Sequence, residues 1–170
     1  NGFTVFIIDH QKEQDIVRAL ALGTGRELWR YAYADAGGAN YGFARATPAV
    51  DGDKVYCLSR HGLLNCLDAE TGQPVWSTNI VTAFQGQVPQ WQMAGSPVVD
   101  GDRLVLVAGA KDGALIVLDK KTGRLIWKGG GGDKPGYATP VVATINGRKQ
   151  YVTFTGTRLA GVDAANGQVV

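Results

Sequence analysis

No uninterrupted apolar run in this sequence approaches the roughly 18–20 residues that a membrane-crossing helix needs, so no membrane-spanning segment is expected. Lysine and arginine are nowhere concentrated, and the net charge is only +2. A nucleic-acid partner, which requires a dense positive patch, is excluded on that ground. Proline is scarce, with six copies, and cysteine scarcer, with two. The first residue is Asn1 rather than Met, and no charged-then-apolar leader follows, so the native start is expected to lie elsewhere. What is abundant is glycine, with 24 copies against an ordinary 45% of hydrophobic residues, a mixture that points to many tight turns in a folded chain rather than to disorder.

The turns recur. Leu67-Asp68-Ala69-Glu70-Thr71-Gly72-Gln73-Pro74-Val75-Trp76 is repeated as Leu118-Asp119-Lys120-Lys121-Thr122-Gly123-Arg124-Leu125-Ile126-Trp127. An earlier copy runs from Leu20 through Thr24-Gly25 to Trp29, with Ala21 where the others have Asp. A later one runs from Val162-Asp163 through Asn166-Gly167 to Val170. A second marker keeps step: Thr47-Pro48-Ala49-Val50, Ser96-Pro97-Val98-Val99 and Thr139-Pro140-Val141-Val142, followed by Asp51-Gly52, Asp100-Gly101 and Asn146-Gly147. The prolines of that marker are 49 and 43 residues apart, and the tryptophans 47 and 51. A period in the forties is that of a four-stranded propeller blade.

Local chemistry agrees with strands. Asp-Gly and Asn-Gly between apolar runs favour tight hairpins of type I′. Opening strands are expected at 47–50, 96–99 and 139–145, second strands at 54–58, 103–108 and 149–154, and third strands at 63–67, 114–118 and 159–162. A fourth strand then carries the Trp. In the Asp-x-x-Thr-Gly turn the Asp side chain can accept from the following amides while Gly takes the left-handed conformation. Asp68, Asp119 and Asp163, with Gly25, Gly72, Gly123 and Gly167, are therefore structural repeat residues, as are Trp29, Trp76 and Trp127. Residues 15–28 also carry apolar spacing that suits an amphipathic helix, but the alignment of Leu20 with Leu67 and Leu118 makes that segment a strand.

These markers together resemble the pyrroloquinoline-quinone (PQQ)-like repeat family, over essentially the whole chain. The resemblance implies an all-β fold, a β-propeller of four-stranded antiparallel blades, commonly eight. The Trp belongs to that family's tryptophan-docking motif. About three and a half blades are expected here, at 1–33 (incomplete), 44–80, 94–128 and 136–170 (incomplete), in a single partial propeller domain spanning 1–170. The family holds bacterial scaffolds without a cofactor, among them a lipoprotein of the outer-membrane assembly machine, and periplasmic quinoprotein dehydrogenases that use PQQ and Ca²⁺. The expected function is a non-catalytic binding or scaffold module outside the cytoplasm, in the periplasm or an equivalent compartment, with a protein or small ligand bound at one propeller face. The alternative is a fragment of a PQQ- and calcium-dependent alcohol or sugar dehydrogenase. No cofactor site is identifiable from the residues themselves.

Several local patterns resemble sites. If His61-Gly62 forms a two-residue turn, Cys57 lies opposite Cys66 and a disulfide is conceivable; two small buried side chains are the other reading. Cys57, His61 and Cys66 lack a fourth ligand for zinc, and His10 stands alone in sequence, so no metal site is expected. The Asp-Gly-Asp segments lack the remaining ligands of a calcium loop. Gly129-Gly130-Gly131-Gly132-Asp133-Lys134 lacks the Lys-Ser/Thr ending of a phosphate loop. What remains are the segments before each opening strand: Tyr41 to Ala46, Pro89 to Gly95 and Pro135 to Ala138. In propellers these gather at one face, and Arg45, Trp91, Gln92 and Tyr137 supply charge, stacking surface and hydrogen bonds there. Trp91 sits in an insert, Thr82 to Ala94, longer than a minimal connector; packing onto the blade edge is its alternative role.

Overall fold

The computed structural model describes residues 3–36 and 44–170. Four antiparallel sheets follow one another along the chain. The first holds β1 (Thr4–Gln11), β2 (Gln14–Ala21) and β3 (Glu27–Ala34). The second holds β4 (Ala49–Asp51), β5 (Lys54–Leu58), β6 (Leu63–Asp68) and β7 (Pro74–Asn79). After a short helix, α1 (Ile80–Phe84), come β8 (Val98–Asp100), β9 (Arg103–Ala110), β10 (Gly113–Asp119) and β11 (Leu125–Gly129). The last sheet has β12 (Val141–Ile145), β13 (Arg148–Phe154) and β14 (Leu159–Asp163), and a single bridge from Val162 to Val169 begins a returning strand. Within each sheet, neighbours in sequence are neighbours in space, the meander of a propeller blade.

Alternation along each strand decides which core a residue joins. Val55 and Cys57 of β5 face the first sheet, packing with Val17, Tyr33 and Trp29. Tyr56 and Leu58, one residue out of phase, face the third sheet and meet Leu104, Leu106 and Trp76. In β9, Leu104 and Leu106 face back to the second sheet while Val105 and Val107 face Tyr151 and Val162 of the fourth. The middle sheets are thus apolar on both faces, as stacking requires.

The repeated turn works as its composition suggests. Asp68 Oδ1 accepts from the amides of Glu70 and Thr71 and from the Thr71 hydroxyl, at 2.9–3.1 Å, and Asp119 does the same for Lys121 and Thr122. Gly72, at φ +73°, closes the turn because a Cβ there would lie 2.6 Å from the Trp29 ring of the preceding sheet. Trp29 donates its indole N–H to Ala69 O at 3.0 Å, and Trp76 donates to Lys120 O at 3.1 Å. Each ring therefore sits in the turn of the next sheet. Trp127 stacks on Gly167 in the same way, yet its buried N–H finds no partner among the described residues. The equivalent acceptor, Ala164 O, is taken by the Arg103 guanidinium. A second stitch lies in the Thr/Ser-Pro marker: Thr47 N donates to Ser96 Oγ at 2.8 Å and Ser96 N to Thr139 Oγ1 at 2.9 Å, joining successive sheets at their opening strands.

Two expectations are corrected. The hairpin between β5 and β6 has three residues in its loop, not two. Ser59 pairs with Leu63 (N–O 2.8 Å), the Ser59 hydroxyl accepts from His61 N and Leu63 N, and Gly62 takes φ +87°, a type I turn closed by a left-handed glycine. That one-residue change pairs Cys57 with Asn65 and Tyr56 with Cys66. The two cysteines consequently face opposite sides of the sheet and both are free thiols. The Asp-Gly hairpins also differ from type I′. Asp51 pairs with Lys54 and Asp100 with Arg103, so Gly52 and Gly101 are first central residues and only they take positive φ, as in type II′. Asn146 and Gly147 are both positive and keep the type I′ pattern.

Candidate functional site

The connectors between sheets and the β5–β6 hairpin meet at one end of the stack. The long insert after β7 is built rather than loose. Asn79 caps α1, its Oδ1 accepting from Val81 N and Thr82 N, which satisfies amides at the helix start. Gln87 N then bonds Ala108 O at 2.9 Å, and Met93 N bonds Arg60 O at 3.0 Å, with Met93 buried in the core between the second and third sheets. Anchored at both sides, the loop turns at Pro89 to Gln92 and presents Trp91, which is 44% exposed.

Around that ring lies an open pocket of about 450 Å³, lined by Arg45, Trp91, Ala94 and Tyr137. The Arg45 guanidinium donates to Trp91 O, and Trp91 N donates to the Tyr137 hydroxyl at 3.2 Å. Three connectors are thereby tied together at one point. Its lining is almost wholly apolar, with Arg45 as its one charged side chain. Tyr137 also borders a second hollow with Pro89, Lys134 and Pro135. Of the four candidate binding residues, Arg45, Trp91 and Tyr137 share the pocket, whereas Gln92 turns away and places its side-chain amide 3.4 Å from His61 Nε2. Of the first connector, Tyr41 to Phe43 lie outside the described residues.

Behind Gln92 is a cluster that sequence reading missed. His61 Nδ1 is 2.7 Å from Asp35 Oδ1, and the buried Arg60 guanidinium donates to Asp35 Oδ2 at 2.5 Å. Asp15, on β2 and fully buried, meets His10 Nδ1 at 2.8 Å through Oδ1 and the Tyr33 hydroxyl at 3.3 Å through Oδ2. His10, which stands alone in sequence, is thus the half-buried partner of a buried carboxylate. Burial pushes the Asp15 carboxyl above the usual range, the His10 contact pulls it back, and the Asp35 charge raises it further. Burial also raises the Tyr33 hydroxyl well above its ordinary value. The sequence signals were the Arg60-His61 pair at a hairpin tip and His10 opposite Asp15 across the β1–β2 hairpin, with Asp35 arriving from the end of β3.

The Cys57, His61 and Cys66 side chains do not converge: the thiols lie on opposite sheet faces and His61 is on Asp35. Burial holds the Cys66 thiol up at about 11 and Cys57 higher still. Asp133, in the glycine run, is held by Arg158 at 2.7 Å, which lowers its carboxyl.

Residues 13–170 match the protein family described as outer membrane protein assembly factor BamB. The quinohemoprotein alcohol dehydrogenase ADH IIB of Pseudomonas putida is 32% identical over 120 residues, covering 66% of this chain and 17% of that protein. The crystal structure of BamB from Moraxella catarrhalis superposes with a TM-score of 0.64 at 17% identity, over 95% of this chain and 49% of the other. The quinohemoprotein alcohol dehydrogenase from Comamonas testosteroni gives 0.67 at 17% identity, over 99% and 33%. The chain spans about half or less of each of these proteins.

Proposed function

The chain belongs to the BamB-like, PQQ-like repeat family of β-propellers, and from that premise we propose that it is a non-catalytic binding module, acting outside the cytoplasm as part of a larger propeller. Its ligand is a protein segment or small molecule that places an apolar or aromatic group against Trp91 and Tyr137 and a carboxylate against Arg45. The observation that carries this reading is the pocket itself: a stacking surface held by pinned connectors, with one guanidinium and, among the described residues, no carboxylate, nucleophile or base in its lining. Exposed aromatic and arginine side chains on rigid loops are the usual anchors of recognition. The tryptophan-docking role of Trp29, Trp76 and Trp127 belongs to the same proposal, as the means by which the blades hold that face in shape.

Similarity to a quinohemoprotein alcohol dehydrogenase supports a second reading, part of a PQQ- and calcium-dependent enzyme. The described pocket does not fit that group. A calcium ion needs several oxygen ligands, and among the described residues none of the side chains lining the pocket is a carboxylate or an amide. Cys57 and Cys66 on opposite faces form no stacking floor.

The test is a fluorescence titration with PQQ and Ca²⁺, coupled to a dye-linked alcohol oxidation assay, alongside a panel of short peptides carrying aromatic and acidic residues. Saturable peptide binding that falls at least tenfold in Trp91→Ala and Arg45→Ala, with no quinone-dependent turnover, is the expected result. Saturable quinone binding with turnover would replace this reading with the dehydrogenase.

A further inference from the structure

His10, Asp15 and Asp35 come from the end of β1, the start of β2 and the residue after β3, and one ligand atom from each lies within 4.8 Å of the others. Both carboxylates are buried and close enough for each charge to oppose the other. The way their oxygens are used is uneven. Asp15 Oδ2 accepts from the Tyr33 hydroxyl and Asp35 Oδ2 from the Arg60 guanidinium, so both of these oxygens are already engaged by donors. The two Oδ1 atoms instead face imidazole nitrogens, His10 Nδ1 at 2.8 Å and His61 Nδ1 at 2.7 Å.

That is the arrangement of a metal centre with its supporting shell: outer oxygens clamped by neighbours, inner oxygens beside nitrogens that can ligate. The charges also favour a cation. With neutral histidines, two carboxylates stand against the single guanidinium of Arg60, which is spent on Asp35. We propose that this cluster binds one divalent first-row transition-metal ion, with His10, Asp15 and Asp35 as its protein ligands and the remaining position open to solvent. Ligand atoms about 2.0–2.1 Å from such an ion sit roughly 3.4 Å apart, a separation inside the 4.8 Å within which these three atoms already lie. Mixed nitrogen and oxygen donors suit zinc or cobalt, whereas calcium and magnesium demand more oxygens than this site offers. The path for entry is from the side of the histidines, whose side chains are 19% and 40% exposed.

The test is calorimetric titration of chelator-treated protein with Zn²⁺, and visible absorption on titration with Co²⁺. One equivalent bound in the micromolar range, tetrahedral-intensity Co²⁺ bands and a higher melting temperature with Zn²⁺ are expected. His10→Ala, at the partly exposed position, and Asp15→Asn should each weaken binding at least tenfold, while Asp53→Asn, on an exposed turn, should not. Circular dichroism establishes that each variant is folded. Absence of saturable heat and of Co²⁺ bands in the wild-type protein, or equal binding in folded His10→Ala, would overturn the proposal.

Discussion

Two chemically identical tryptophans stand in different debts at the residue scale. Trp76 has both the ring contact and the hydrogen bond to Lys120 O, whereas Trp127 keeps the ring contact with its N–H unpaired among the described residues. A buried unsatisfied donor is costly, and removing it recovers that cost. Trp76→Phe is therefore expected to lose about 1 kcal/mol more stability than Trp127→Phe, measured by urea unfolding. The cysteines differ from their sequence reading just as sharply. With both thiols buried and their ionisation suppressed, neither should react with a thiol reagent at pH 8 until the protein is unfolded, and no crosslink should form under oxidation. Their relation was illegible in the sequence because it hangs on Ser59, whose hydroxyl accepts from two loop amides and sets the loop at three residues. Apolar alternation fits either register up to that turn.

At the scale of the element, the repeated turn was the most legible feature, because every interaction in it is local. Asp, Thr and Gly at fixed spacing are enough to describe its hydrogen bonds. The first copy has Ala21 in place of Asp, leaving the Thr24 amide on the backbone carbonyl of Ala21 at 3.2 Å. Ala21→Asp is expected to stabilise the protein by about 0.5–1 kcal/mol, read as a higher urea midpoint. The same turns set an acid limit. The Thr71 hydroxyl and amide hold Asp68 below its ordinary value, and the Thr122 hydroxyl does so for Asp119, against a small opposing effect of burial. A carboxyl with a depressed folded pKa contributes stability above its unfolded value, about 3.9, and loses it as pH falls through the folded one. Stability should drop as pH is lowered below about 4, and the drop should be shallower in the double variant Thr71→Val, Thr122→Val. The buried Asp15–Asp35 cluster was not legible, since it forms where three strand ends of the first sheet meet and is completed by Arg60 and His61 from the second.

For the whole molecule, order comes from the junctions between sheets. Sequence period was enough to expect stacked blades, because the apolar faces leave no other way to be buried. The pocket residues Arg45, Trp91 and Tyr137 are legible from their place before opening strands, but their mutual hydrogen bonds are not. The middle junction gives the sharpest test of how the sheets cooperate. Gly123 is left-handed and faces Trp76, a Cβ there falling 2.7 Å from the ring, while Gly101 is equally left-handed in open space. Gly101→Ala should lower the melting temperature with one transition preserved. Gly123→Ala should lower it further and split the transition, as expected when a neighbour interface weakens in a stack of repeats.

The way Trp29, Trp76 and Trp127 each enter the turn of the following sheet gives the chain a polarity: the two middle sheets offer a ring forward and a socket backward. A stretch of gene reaching from one tryptophan codon to the next therefore encodes a complete adaptor. Duplicated in frame, it inserts a new blade whose socket and ring both meet existing partners, so ring size in such a protein can change by whole steps without redesigning a single joint.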